Sequence, residues 1–166
     1  MTDPTPAPRL PPRWFIRLAW AVHRALYRAT GGRLGLRPPT AKTYGLGRLH
    51  TVGRRSGAAR VAMVGYWHDG PNLYTLAMNG WGAPEPAWWL NLQAQPDATI
   101  DLPDGSRAIH ARVAAGEERA RLWALMRRQG PNLDHWAALR PTETAVVVFE
   151  PRDHPTDASP RQPAGS

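Results

Sequence analysis

The spacing of apolar and polar residues divides the chain into stretches of different period. Over residues 13–29, RWFIRLAWAVHRALYRA, about 100° per residue gathers Trp14, Phe15, Leu18, Val22, Ala25 and Leu26 on one face. Arg13, Arg17, Arg24 and Arg28 fall in a narrow opposing sector, so an amphipathic helix is expected over 13–30. A Gly- and Pro-rich connector, 31–39, follows, and the period then shortens. GLGRLHTV, RVAMVGYWH and NLYTLAM read as strands, the last two joined at the turn HDGPN. TIDL and RAIHARVA about PDGS predict a second hairpin, and AVVVFEP a closing strand. Two helices interrupt the strands: PAWWLNLQAQ, with Pro86 in its first turn, and EERARLWALMRRQ, acidic at its start, basic at its end and stopped by Gly130-Pro131. Many short antiparallel strands with few helices predict an α+β, mainly β fold built on a small barrel.

The 166 residues suit one domain, expected over 40–151, with proline-rich tails over 1–12 and 152–166 that cannot bury enough surface to order themselves. No apolar h-region with a cleavage site opens the chain, so the expected location is cytoplasmic. The 13–30 helix is too short and too charged to span a bilayer. Either it packs on its own domain, or it lies on the inner face of the cell membrane with its arginines toward anionic headgroups.

The sequence holds no cysteine, which excludes disulfides, thiol nucleophiles and cysteine-bound metals. Neither a nucleophile elbow nor a P-loop, dinucleotide fingerprint or HExxH pair occurs. His23, His50, His68, His110, His135 and His154 lack metal-ligand spacing, and no metal is expected. A net charge of +8, much of it arginine, points to an acidic partner. Nucleic acid is not expected, because the aromatic residues fall on helices and strands rather than in an RNA-binding pattern. The charge is most concentrated at GRRSG, residues 53–57, between two strands. That segment is either a solvated turn or an anion site, in which Arg54 and Arg55 bond phosphate oxygens while Ser56 and Gly57 add local donors.

GRRSG, the strand pair with DG at its tip, and MNGWGAPEPAWWLNL (78–92) leading to QP resemble, in that order, the deazaflavin-dependent nitroreductase and quinone reductase family, actinobacterial oxidoreductases that use coenzyme F420. The likeness covers about residues 45–150 and includes EERARLWALM and the terminal VVVFEP. It implies a split β-barrel of the flavin-reductase type and hydride transfer from reduced F420, or from FMN in the neighbouring flavin family, to a hydrophobic electron-poor acceptor such as a quinone, enone or nitro compound. It also implies that Arg54, Arg55, Ser56 and Gly57 contact the cofactor phosphate, with Arg60 on the acidic tail or pointing to solvent. Met63, Val64 and Gly65 would line the deazaflavin ring, and Met78, Asn79 and Gly80 would form the loop over it. Trp88 and Asn91 would hold the cofactor from one helix face, a core role being equally open to Trp88. Gly65, Met78 and Trp136 would border the acceptor. Gly65, Met78 and Asn79 stand where relatives often carry a tyrosine, a small hydroxyl residue and a lysine, and Gly130, Leu133 and Trp136 where some carry tyrosines, which implies a wider, more apolar pocket. Glu85 is the one carboxylate near this constellation and reads as a surface residue. The alternative to an enzyme is a barrel that carries a deazaflavin or flavin without turning it over. No catalytic residue and no oligomeric state can be assigned from the sequence.

Overall fold

The computed structural model describes residues 35–152 apart from 81 and 83, so the expected 13–30 helix and both expected tails, save Arg152, lie outside the described residues. All six expected strands form: β1 (Gly45–Val52), β2 (Ala59–Asp69), β3 (Asn72–Leu76), β4 (Asp97–Leu102), β5 (Gly105–Val113) and β6 (Val146–Pro151). They close into an antiparallel barrel in the order β1-β2-β3-β6-β5-β4. Helix α1 (Ala87–Ala94) joins β3 to β4, and α2 (Gly116–Gln129) follows β5. A third, α3 (Leu133–Ala138), was not expected: six residues are too few for a periodic signal, and Gly130-Pro131 reads as the end of helical structure. Pro86 sits one position before the first turn, in extended conformation, with its carbonyl accepting from Trp89 and Leu90 N–H. Among the described residues no helix is long and apolar enough to cross a membrane.

Alternation along the strands sorts side chains into two cores. Inward positions of β1 are Gly45, Gly47, Leu49 and Thr51. The first glycine leaves room for the Tyr66 ring, which a Cβ on Gly45 would approach to 2.6 Å, and at Gly47 a Cβ would press to 3.0 Å from Ile100 Cδ1. Large partners fill that space, and Leu49, Val64, Tyr66, Ile100, Val147 and Phe149 pack inside the barrel with Trp88, Trp89 and Leu92 of α1. Each fully buried side chain of this kind contributes about 1.5–3 kcal/mol of transfer free energy.

The second core lies outside the barrel, where Tyr74, Leu76, Val146 and Val148 meet Leu122 and Met126 of α2 and Leu133 of α3. Charged contacts fix α2 there. Arg112 of β5 bonds Glu118 at 2.6 and 2.8 Å and Glu150 at 2.6 Å, and Arg121 forks onto Asp69 at the β2–β3 tip at 2.7 Å. The barrel closes between β1 and β4 through three residue pairs, flanked by Asp101, which accepts from Arg48 at 2.6 Å and His50 at 2.8 Å.

Candidate functional site

The turn between β1 and β2 is built by its own backbone. Gly53 N–H bonds the Ala58 carbonyl at 2.8 Å, and the N–H groups of Ser56 and Gly57 both bond the Gly53 carbonyl, at 3.1 and 2.7 Å. Gly57 adopts φ +65°, a conformation that favours glycine, and a Cβ at Gly53 would press to 2.9 Å from Ser56 Oγ. The backbone donors expected of Ser56 and Gly57 are therefore spent inside the turn, and these residues shape it instead. Ser56 Oγ accepts from Ala58 N–H and from Arg60 Nη2, both at 3.4 Å, which leaves its own proton to donate.

Arg54 and Arg55 are exposed, and their guanidinium groups have no hydrogen-bond or ion-pair partner among the described residues. Arg60, also exposed, reaches only the Ser56 hydroxyl there. Of the other described arginines, Arg48, Arg107, Arg112, Arg119, Arg121, Arg127, Arg140 and Arg152 each meet a carboxylate, whereas Arg37 and Arg128 meet none. Three guanidinium groups that meet no carboxylate among the described residues, those of Arg54, Arg55 and Arg60, therefore stand together at the turn and the start of β2.

Helix α1 braces that turn from beneath. Asn91 Oδ1 accepts from Arg54 N–H at 3.1 Å, while Asn91 Nδ2 donates to Thr51 Oγ1 at 3.1 Å. Asn91 and Thr51 are both buried, so losing either partner would strand a polar group. Asn91 thus joins the turn as a positioning residue, while Trp88 is buried in the barrel core with its ring 6.3 Å from that of Trp89. Thr51 was missed by the sequence reading, although a polar residue at an inward position of β1 was the signal that could have found it.

From the turn, the outward positions of β2 run Val61, Met63, Gly65 and Trp67, an apolar ledge on which Val61 is 57% exposed. Val64 is corrected: its side chain is buried inside the barrel and cannot line a groove on the outer face. The wider pocket expected from Gly65 is corrected too. The ring of Tyr44 covers this glycine, with its Cδ2 3.0 Å from where a Cβ would stand. Tyr44 meets Trp67 edge-on at 5.8 Å, and Trp67 stacks on Tyr74 at 5.7 Å and donates its indole N–H to Gln129. Trp67 and Tyr74 also border a groove of about 390 Å³ with Leu125 and Arg128, which none of the residues chosen from sequence lines.

The loop after β3 supplies the far rim. Met78 is half-buried against the second core; Asn79 and Gly80 are exposed in a tight turn closed by Gly82 N–H on the Asn79 carbonyl at 3.1 Å, with Gly80 at φ +57°. Glu85, expected at the surface, instead anchors this loop. Its Oε1 accepts from Arg140 Nη2 at 3.0 Å and Thr142 Oγ1 at 3.1 Å, and Arg140 Nη1 bonds the Ala77 carbonyl at 2.9 Å and Thr144 Oγ1 at 2.8 Å. The Arg140 side chain is 1% exposed. Nothing in the spacing of ALRPTET announces such a clamp. Trp136, on α3, is half-buried and meets the His135 ring at 5.5 Å; Leu133, one turn earlier, is buried in the second core and cannot face a pocket. The structure therefore brings Arg54, Asn91 and Thr51 together, and Ser56 with Arg60, but shows no direct contact among Gly65, Met78 and Trp136.

The F420H(2)-dependent quinone reductase family matches residues 20–151. The F420H(2)-dependent quinone reductase Rv1261c of Mycobacterium tuberculosis (strain ATCC 25618 / H37Rv) is 32% identical over 113 residues, which are 67% of this chain and 74% of the relative. Among solved structures, an F420-H2 dependent reductase (FDR-A) superposes with a TM-score of 0.56 at 23% identity, over 63% of this chain and 93% of its own. A chain solved as a domain-swapped dimer gives 0.60 at 22% identity, over 81% and 97%. These two likenesses show the fold, a barrel of the flavin-reductase type. The chain belongs to the F420H(2)-dependent quinone reductase family and is an F420-dependent oxidoreductase.

Proposed function

We propose that this reductase passes hydride to a quinone, and that it holds F420 along the outer ledge of β2 with the acidic tail at the Arg54–Arg55 turn. The observation that carries the reading is the pair of exposed guanidinium groups, without a partner among the described residues, on a turn braced by a buried amide. Solubility alone needs no such bracing. Arg54 and Arg55 fit a phosphate through charge-assisted bonds, with Arg60 and the Ser56 hydroxyl proton beside them. Five residues of strand, about 17 Å, separate Arg60 from Gly65, so a ligand anchored at the turn needs a long tail to reach the ledge.

When bound, reduced F420 supplies the hydride, and the chain's own work is binding, alignment and exclusion of water. Val61 and Met63 offer an apolar bed, the Tyr44 ring over Gly65 continues it, and Met78 and Trp136 shield the acceptor side. No carboxylate of the described residues is needed as a base, since hydride addition leaves an anionic acceptor that water can protonate. The test is titration of the purified protein with F420, then turnover with menadione, an enone and a nitroaromatic compound. Menadione reduction above the other two supports the quinone reading; F420 binding with turnover of the enone alone overturns it.

A further inference from the structure

We propose that Tyr44 is a specificity-determining residue of this enzyme: its ring, delivered from the neighbouring strand, replaces the side chain that β2 lacks at Gly65 and forms the aromatic wall against which a planar acceptor stacks. The inference rests on the reading that the acceptor meets the chain above Gly65.

The ring occupies the volume a side chain at 65 would fill. A Cβ there would stand 3.0 Å from Tyr44 Cδ2 and 3.4 Å from both Cε2 and Cγ, so a side chain at residue 65 would have to displace the Tyr44 ring. The ring is also held firmly. Trp67 supports one edge at 5.8 Å and 64°, and the Arg37 guanidinium lies 5.1 Å from the ring centroid, a cation–π distance. Arg37 is fixed in turn, because its backbone forms a two-way bridge with Leu46, at 3.2 and 2.9 Å, and its carbonyl accepts from the Tyr66 hydroxyl at 3.5 Å. The next residue, Gly45, pairs with Tyr66 in the β1–β2 ladder, which places the backbone that aims Tyr44.

A ring required only to fill space would be buried. Tyr44 remains 44% exposed, and its hydroxyl has no partner among the described residues. It is an aromatic surface laid over Gly65, braced by Trp67 and Arg37 and partly open to solvent, at the point of the β2 ledge where the strand itself is bare. Such a surface selects flat, electron-poor rings through offset stacking, a contact worth about a fivefold to tenfold change in affinity.

The test uses the full chain with reduced F420 and menadione, alongside direct F420 titration. Tyr44→Ala is expected to raise the menadione KM about fivefold to tenfold while kcat and F420 affinity stay within about twofold, and Tyr44→Phe is expected to restore the wild-type KM. Gly65→Tyr alone is expected to lower Tm through the clash, and the double variant Tyr44→Ala, Gly65→Tyr to fold and return the menadione KM to within about threefold, since the ring now rises from β2. A folded Tyr44→Ala enzyme with unchanged KM overturns the proposal; if that variant does not fold, a folded double variant whose KM stays raised overturns it. A wild-type enzyme that binds F420 but reduces no quinone removes the acceptor reading, and this proposal with it, whereas wild-type turnover beside an indifferent Tyr44→Ala removes this proposal alone.

Discussion

Arg140 and the Arg54–Arg55 pair set the same side chain in opposite surroundings. Arg140 is withdrawn from solvent behind the Met78–Pro86 loop and gives its terminal nitrogens to Glu85, Thr144 and the Ala77 carbonyl. Arg54 and Arg55 stand in solvent with no partner among the described residues, although the backbone beneath them is bonded to a buried asparagine. In the first region the protein has organised itself around the charge. In the second it has organised a place for the charge and left the charge uncommitted. Burial with partners makes an arginine part of the fold, and exposure on a rigid support makes it part of a site.

Breaking the clamp is expected to have the largest effect. Arg140→Met leaves the Glu85 carboxylate with Thr142 as its one remaining donor among the described residues, its Oε2 lacking a partner there already, and removal of the buried member of an ion pair costs about 3–5 kcal/mol. Thermal melts are expected to show Tm lowered by more than about 10 °C. A loss of only a degree or two would place Arg140 with the solvent-exposed arginines.

The opposite result is expected at the turn. In Arg54→Ala, Arg55→Ala the melt is unchanged within about 2 °C, whereas F420 affinity falls at least about tenfold, each lost charge-assisted bond being worth about 1.5–3 kcal/mol. The remaining affinity is expected to depend less on salt. Equal affinities for wild type and double variant would dissolve the contrast with Arg140.

Asn91→Ala falls between the two. It removes the acceptor of Arg54 N–H, a part-buried connection, and the donor to Thr51, a buried one, at about 1–3 kcal/mol of stability. F420 affinity is expected to drop several-fold with every arginine still present. A variant that loses stability and keeps affinity would show that the brace serves the fold alone.

How much of this contrast could be read from sequence depends on whether the cause is local. Strand alternation, the Gly57 turn and the charge pattern of α2 arise within a few residues, so all six strands and two helices were legible. The arginine-rich turn was visible for the same reason. Whether Arg54 would be neutralised was not, because that depends on carboxylates distant in sequence, such as Glu85 with Arg140, 55 positions away. Gly65 was read as an opening since its own side chain is absent; only folding brings Tyr44 over it. Val64 was assigned to the ring-lining strand from the family resemblance, and the period of two turned its side chain inward.

The smallest expected effect sharpens the comparison at a third setting, the Arg48–His50–Asp101 group that flanks barrel closure, where Arg48 and Asp101 are 26% and 17% exposed. Burial raises the affinity of the Asp101 carboxyl for a proton, but hydrogen bonds from His50, Ser106 and Arg48 outweigh it and hold the carboxyl below the ordinary aspartate value. Above about pH 5 the carboxylate is ionised in both folded and unfolded chains, and its contribution to stability is complete. As pH falls below that point the unfolded chain takes up the proton first, so the contribution declines and is gone once pH has passed through the lower folded value. For a partly exposed group this is of order 1 kcal/mol or less, well short of the Arg140 clamp. Melts of wild type and Asp101→Asn between pH 2.5 and 6 are expected to differ most at the upper end and converge at the lower. Parallel curves across that range would mean that the Asp101 charge does nothing for closure, and that only complete burial turns an arginine partner into a structural one here.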